Sequence, residues 1–263
     1  LVNVYLRLDL PLTALDLLTE AKEKFPLEPR LILGVARIHE MLNDPEEAVT
    51  CYKQVLVLDA SCVEAIACIG AHQFYSDQPE MAMRYYRRLL QMGVNNTELW
   101  NNIGLCCFYS SQYDMAIGCF DRALSLSSDD DMADVWYNIG HLGVALGDHG
   151  LAYQAFKVAV SVNPAHAEAL NNLAILELRR YNNITESNRQ MQALEQAKSF
   201  LSSATDHGPH LFEPAYNRAL TAFQKQGDFS EAKEYVKKAL EVYPGHMDSK
   251  DLDKKLLALL KSE

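Results

Sequence analysis

Apolar residues recur along the chain every three or four positions with polar residues between them, a pattern that predicts amphipathic helices. Four stretches share one arrangement of large and small residues, and they read WNNIG from Trp100, WYNIG from Trp136, LNNLA from Leu170 and YNRAL from Tyr216. Downstream of each, an alanine, a bulky residue and a second alanine follow at spacings of four and three, as at Ala116, Phe120 and Ala123. This recurrence predicts stacked pairs of short helices.

Residue size alternates in a fixed way within each unit. When a unit is counted from three residues before Trp100 or its equivalents, small residues fall at positions 8, 20 and 27, and large residues fall at 4, 7 and 24. Small residues let helix backbones approach closely, and the large ones fill the space beside them. Trp136 occupies position 4. We expect its replacement by alanine to cost about 3–5 kcal/mol.

This arrangement resembles the tetratricopeptide repeat, which has a period of about 34 residues. The resemblance implies an all-α fold: a right-handed α-solenoid superhelix of antiparallel helix hairpins, forming one continuous domain over 1–263. We assign a partial repeat at 1–28, repeats at 29–62, 63–96, 97–132, 133–166, 167–212 and 213–246, and a cap helix at 247–263. Because the first unit lacks its beginning, we expect the chain to be a fragment that continues N-terminally.

Two repeats depart from the period. Trp136 lies 36 residues after Trp100, and Asp129, Asp130 and Asp131 fill the extra length, as expected of a turn. Repeat 167–212 is longer, which predicts an insert at 181–191 between its two helices. Ser187 followed three residues later by Gln190 predicts a capping box, so that the second helix begins inside the insert.

Composition and charge exclude several functional classes. The chain has 263 residues, of which 49% are hydrophobic. No apolar run in it approaches the length of roughly 18 residues that a membrane span requires. We therefore expect a soluble protein. Its formal net charge of −11 disfavours nucleic acid and anionic membranes as partners, because their binding proteins present a basic face.

The sequence contains no motif for catalysis or for a cofactor. The six cysteines form no C-x-x-C pair and are predicted to be reduced, small hydrophobic residues of a cytosolic protein. The eight histidines form no H-E-x-x-H motif, and no phosphate-binding glycine-rich loop is present. We predict a protein that is not an enzyme and that holds no cofactor or metal.

Function is therefore expected to come from the surface. In tetratricopeptide domains the first helix of each unit lines a concave groove, where co-chaperones grip a partner's C-terminal carboxylate with Lys, Arg and Asn. Positions 5 and 9 of this chain supply no paired basic clamp, and the predicted groove is apolar and rich in amides, which suits a partner helix or extended segment. The candidate partner-binding residues are Arg37, Phe74, Asn101, Leu105, Phe108, Tyr137, His141, Asn171, Ile175 and Asn217.

Several of these residues have a purely structural alternative. Asn102, Asn138 and Asn172 share position 6, where the family commonly uses asparagine for contacts between units. Phe108 can equally pack between hairpins, since aromatic residues of helices are usually core. His141 can be a hydrogen-bonded groove residue rather than a ligand for a partner.

Residues 97–180 carry a narrower resemblance, most specifically in the run DDDMADVWYNIGHLGVALGDHGLAYQAF. This stretch resembles the tetratricopeptide repeat subunits of the BBSome, an assembly of Bardet-Biedl syndrome proteins that moves membrane proteins into and out of cilia. The resemblance implies a scaffold whose partners are other BBSome subunits and, indirectly, an Arf-like small GTPase and ciliary membrane-protein cargo. It also implies a cytoplasmic protein of the primary cilium, basal body and centrosomal region.

Three functional hypotheses remain open from the sequence. The first is an obligate scaffold subunit of the BBSome, and the second is a free peptide-binding adaptor of the co-chaperone type. The third is the non-catalytic arm of a larger enzyme. An obligate subunit is expected to co-purify with its partners, which distinguishes the first hypothesis from the second.

Overall fold

The structure is a computed structural model that describes residues 2–128 and 131–259. Within these residues it contains helices and no strand, which confirms the all-α prediction. The helices form two compact units, one ending at Leu126 and the other beginning at Ser127, and each is described by itself. That the chain forms one continuous domain with the assigned repeat bounds stays a prediction.

The first unit contains the helices α1 to α8. Their bounds are α1 Val2–Arg7, α2 Pro11–Lys24, α3 Pro29–Met41, α4 Pro45–Leu58, α5 Val63–Tyr75, α6 Pro79–Gln91, α7 Thr97–Tyr109 and α8 Tyr113–Leu126. Consecutive helices pair as α3 with α4, α5 with α6 and α7 with α8, and each pair packs against the next within this unit. Its described helices therefore form a stack of hairpins.

The second unit contains the helices α9 to α15. Their bounds are α9 Met132–Ala145, α10 His149–Val162, α11 Ala167–Asn183, α12 Ser187–His207, α13 Phe212–Thr221, a π-helical turn Ala222–Gln226, α14 Phe229–Val242 and α15 Met247–Leu259. Here the pairs are α9 with α10, α11 with α12 and α13 with α14, and α15 packs on α14 through buried Leu252 and Leu256. Leu260, which we also placed in the cap helix, lies outside the described residues.

The turns inside the hairpins α3–α4, α5–α6, α7–α8, α9–α10 and α13–α14 share one backbone conformation. Asn43, Asp77 and Ser111 have φ values of 58°, 59° and 58°, and Gly147 and Gly227 have 74° and 69°. Each is residue 15 of its repeat, directly before the residue that precedes the second helix. The left-handed region is accessible to glycine and, at lower cost than for other residues, to asparagine and aspartate. The sequence therefore carries a turn signal at this position in addition to the size pattern.

Small and large residues meet across each hairpin as predicted. A Cβ atom built on Gly104 would lie 2.5 Å from the Phe120 ring, and one on Gly140 would lie 2.4 Å from the Phe156 ring. Phe120 and Phe156 are 1% and 0% exposed, so position 8 is small because position 24 of the same repeat fills its place. Close packing of this kind fixes how the two helices of a hairpin approach one another.

Three expectations need correction or fall outside the structure. Trp136 is only partly buried, at the edge of the cluster around Phe156. We therefore expect its truncation to cost less than about 3–5 kcal/mol. The second helix of repeat 167–212 does begin inside the insert, at Ser187, but the capping box is wrong: the N-cap of α12 is Glu186, and Gln190 Nε2 donates to the Tyr181 carbonyl at 3.3 Å. Asp129 and Asp130 lie outside the described residues.

Candidate partner-binding site

In the first unit, the candidate residues centre on an aromatic cluster at the C-terminal ends of α5 and α7. The Phe74 ring lies 5.3 Å from the Tyr109 ring, and Phe108 lies 5.2 Å from Tyr109, both edge to face. Tyr75 and Tyr109 are 85% and 63% exposed, whereas Phe74 and Phe108 are partly buried beneath them. Phe74 and Phe108 are the two predicted candidates of this cluster, and its most exposed rings are those of Tyr75 and Tyr109, which the sequence also places toward the middle of the groove.

The other candidates of this unit have partners within the chain. Arg37 on α3 is exposed and forms an ion pair with Glu64 on α5. Asn101 and Leu105 are partly buried on α7, and Asn101 has an interaction partner inside the protein. Arg37 therefore links neighbouring hairpins as well as presenting a cation at the surface.

In the second unit, Tyr137 and His141 of α9 are packed against the core. The Tyr137 ring lies 4.6 Å from His141, 5.7 Å from Phe156 and 4.8 Å from His166. His141 Nε2 lies 3.2 Å from Asn172 Nδ2, so the position-6 asparagine of α11 contacts the preceding first helix. Both rings are positioned by contacts within the protein, and only part of each remains for a partner.

Burial lowers the pKa of His141. The folded protein therefore binds this proton less readily than the unfolded chain, and the unfolded chain binds more protons as the pH falls through about 6.5. We expect the free energy of unfolding to decrease as the pH falls from about 7.5 to about 5.5. The decrease should be smaller in a His141→Gln variant. Chemical denaturation of both proteins at each pH measures this, and parallel pH profiles would contradict it.

A hydrogen-bonded pair of asparagines joins α11 to α13. Asn171 is 8% exposed and its Oδ1 accepts from Asn217 Nδ2 at 2.9 Å. Both residues were candidates for partner binding, and the structure shows that they are hydrogen-bonded to each other. Ile175, one turn further along α11, is 43% exposed and keeps an apolar surface free.

Next to this pair lies the α11–α13 groove, which we define by Ile175, Leu178, Asn182, Asn217 and Lys225. It encloses a cavity of about 350 Å³. Lys225 Nζ donates to Asn182 Oδ1 at 2.6 Å and lies 4.9 Å from the centre of the Tyr181 ring. The groove therefore combines one exposed aliphatic side chain with amides and a cation held in place.

Sequence reasoning found only two of the five residues that define this groove. Asn182 belongs to the insert 181–191, whose first residues extend α11 by a turn, and the period alone gave them no role. Lys225 lies in the π-helical turn Ala222–Gln226, which follows α13 where a regular α-helix was predicted.

The cysteines occupy apolar surroundings. Burial raises the pKa of Cys68 to about 11, of Cys106 to about 12 and of Cys119 to about 11. All six cysteines are free thiols. Because the thiolate is the reactive form, these three residues are poorly suited to act as nucleophiles at neutral pH.

Within residues 2–128 and 131–259, no three His, Cys, Asp or Glu side chains lie where they could hold a metal ion together. None of the helices described there combines the length and the apolar character needed to cross a membrane.

The chain matches known proteins both in sequence and in structure. Family models described as tetratricopeptide repeat match residues 97–130, 133–166 and 213–246. The chain is a tetratricopeptide repeat protein. A solved tetratricopeptide repeat protein from Parabacteroides merdae shares its fold with a TM-score of 0.74 at 17% identity, covering 97% of this chain and 96% of that one.

Two curated relatives of this tetratricopeptide repeat protein are much more similar in sequence. It is 51% identical to "Tetratricopeptide repeat protein 8" of Mus musculus over 257 residues, which are 97% of this chain and 48% of that protein. It is 52% identical to the protein of the same name from Homo sapiens over 97% of this chain and 45% of that one. The chain thus spans about half the length of these relatives.

Proposed function

We propose that this chain is part of a non-catalytic scaffold subunit of the BBSome, the coat-like assembly that moves membrane proteins to and from primary cilia. The observation that carries this proposal is the identity of 51% and 52% to tetratricopeptide repeat protein 8 of two species over 97% of the chain. Its partners would be other BBSome subunits and, through them, an Arf-like small GTPase and ciliary cargo. It would act in the cytoplasm, at the primary cilium, basal body and centrosomal region.

The described surface supports a binding role. The α11–α13 groove offers an exposed aliphatic residue beside amides that can pair with the backbone of an extended segment. The aromatic cluster around Tyr109 offers a second apolar surface on the first unit. Exposed aromatic and amide-lined surfaces of this kind are common where proteins meet.

Co-purification tests the assembly. The tagged full-length protein is expressed in ciliated cells, isolated under native conditions and weighed by native mass spectrometry. A scaffold subunit is expected to elute with the other BBSome subunits in fixed stoichiometry and to be depleted of free monomer. Elution as a monomer, with the remaining subunits assembled without it, would refute the proposal.

The groove makes a separate prediction. Replacing Ile175 with aspartate puts a charge on the one exposed aliphatic position of the α11–α13 groove and should weaken co-purification of a bound partner by about tenfold or more. Helical content should stay unchanged, because Ile175 is 43% exposed. The matched control is Val57→Asp on α4, where the side chain is 85% exposed. Equal losses of co-purified partner in both variants would show that the α11–α13 groove is not the binding surface.

One observation favours a second candidate, a free peptide-binding adaptor. Arg179 and Lys225 both line the α11–α13 groove together with Asn217, although positions 5 and 9 alone showed no basic clamp. Cations beside an amide can bind a peptide's C-terminal carboxylate. A peptide library with free and amidated C-termini separates the candidates: an adaptor requires the free carboxylate, and the scaffold proposal expects no such requirement.

A further inference from the structure

A second cavity lies on another side of α11, against α10. We define the α10–α11 cleft by His149, Tyr153, Glu177, Arg180 and Ile184, and its cavity measures about 400 Å³. Leu176 and the side chains of Tyr153 and Ile184 give it largely apolar walls. It shares α11 with the α11–α13 groove, and Arg179 lines both, but none of its five defining residues belongs to that groove.

An acidic side chain lines this cleft with few hydrogen-bond donors around it. Glu177 is 0% exposed, and its carboxylate oxygens accept no hydrogen bond of normal geometry. Its charged neighbour is Arg180 on the next turn, whose Nη1 lies 3.5 Å from Oε2 and whose side chain is 59% exposed. His149 Nδ1, also in the cleft, is buried and has no hydrogen-bond partner.

Such a group is costly to bury. A carboxylate removed from water loses strong hydrogen bonds, and one long, solvent-facing contact with Arg180 replaces few of them. The Tyr153 hydroxyl lies close enough for a hydrogen-bonding interaction with Glu177, and burial and then this interaction raise the pKa of the hydroxyl to about 12. A buried acceptor that lines a cavity and is incompletely paired indicates that further donors come from another molecule.

We propose that the α10–α11 cleft is a socket for an arginine side chain of a protein partner. A guanidinium offers five donors in a planar fork, enough to pair with both Glu177 oxygens and to reach a second acceptor. Its methylenes fit the apolar walls, and its plane can stack on the Tyr153 ring. The net charge of −11 also favours basic segments as they approach.

The charges at the mouth of the cleft indicate a second feature of the partner. Arg179 and Arg180 line the mouth of the cleft, and both are exposed. They would repel an isolated cation, so the arriving arginine is expected to have an acidic residue beside it that pairs with them. Arg180 can give up Glu177 and pair with this acidic residue, because its contact with Glu177 is long and solvent-facing.

A small probe tests the socket without any assembly partner, so that a negative result leaves the proposed BBSome role untouched. N-acetyl-arginine amide is titrated into the full chain, and amide chemical shifts are followed by NMR. Saturable shifts are expected at Tyr153, Glu177 and Ile184. N-acetyl-citrulline amide, which has nearly the same shape but no charge, should bind at least about tenfold more weakly.

Two variants test whether Glu177 is responsible for binding the arginine probe. Glu177→Gln should weaken binding of the arginine probe at least about tenfold while leaving the melting temperature unchanged or higher, because an incompletely paired buried carboxyl group is removed. Glu195→Gln, which removes a charge from an exposed side chain of α12, is the control and should bind normally. No binding by the parent, equal binding of citrulline, retained binding in Glu177→Gln, or a lower melting temperature of that variant would each overturn the proposal.

Discussion

Replacing Phe156 with alanine is expected to lower the free energy of unfolding of the second unit by about 3–5 kcal/mol. The ring is 0% exposed and fills the space that Gly140 leaves open between α9 and α10. Truncation leaves a cavity that the two helices can close only in part, so the lost packing is not recovered. Urea denaturation followed by far-UV circular dichroism measures the effect, and a midpoint equal to that of the parent would contradict it.

Two companion variants show whether the cost arises from this particular contact. Phe25→Ala removes the same side chain at a position where it is 64% exposed. That substitution should change stability by less than about 0.5 kcal/mol. Gly140→Ala places a Cβ atom 2.4 Å from the Phe156 ring, and should be destabilising by about 1–3 kcal/mol. In the Phe156→Ala background the ring is gone, so Gly140→Ala should cost little; additive effects would refute direct coupling between the two positions.

The sequence predicted the hairpins well because their packing depends on residue size at fixed positions. A glycine opposite a phenylalanine, as at Gly104 with Phe120, is a local requirement, and it repeats wherever two helices of a hairpin meet. The turns are equally local, since Asn43, Asp77 and Gly147 occupy the same position of their repeats and have positive φ there. Such features need no knowledge of distant parts of the chain.

The failures have the opposite origin. Trp136 satisfies the pattern for a buried position but lies at the edge of its cluster, because burial depends on what the neighbouring hairpin covers. Ser187 and Gln190 have the spacing of a capping box, yet Gln190 donates to Tyr181 at the end of α11 instead. A cap is decided by the competing partners that the fold brings near, and these cannot be read from spacing alone.

The candidate site was predictable only in outline. Position 5 made Asn171 and Asn217 candidates on successive first helices, but it gave no indication of the hydrogen bond between them. Glu177 gave no signal at all, because a glutamate in a helix usually faces solvent. Its burial follows from the cover that α10 and the extended end of α11 provide. The site therefore depends on tertiary contacts to a greater degree than the fold does.

A second large effect is expected at Gly143, which the size pattern did not single out. A Cβ atom there would lie 2.7 Å from the Ala152 nitrogen and 3.1 Å from the Asp148 carbonyl oxygen. These are backbone atoms at the start of α10, so they cannot move aside as the end of a side chain can. Gly143→Ala should push α9 and α10 apart and cost about 1–3 kcal/mol, despite the higher helix propensity of alanine.

Gly118→Ala is the matched control for this prediction. Gly118 is an exposed glycine within α8, and a Cβ atom added there would meet nothing within 4 Å. The same chemical change should therefore stabilise the protein by up to about 1 kcal/mol, because alanine loses less backbone entropy in a helix. Denaturant midpoints of both variants and the parent give the two signs directly. If both substitutions stabilise, α9 and α10 do not approach as closely as the structure shows; if both destabilise, loss of glycine rather than close backbone contact is the cause.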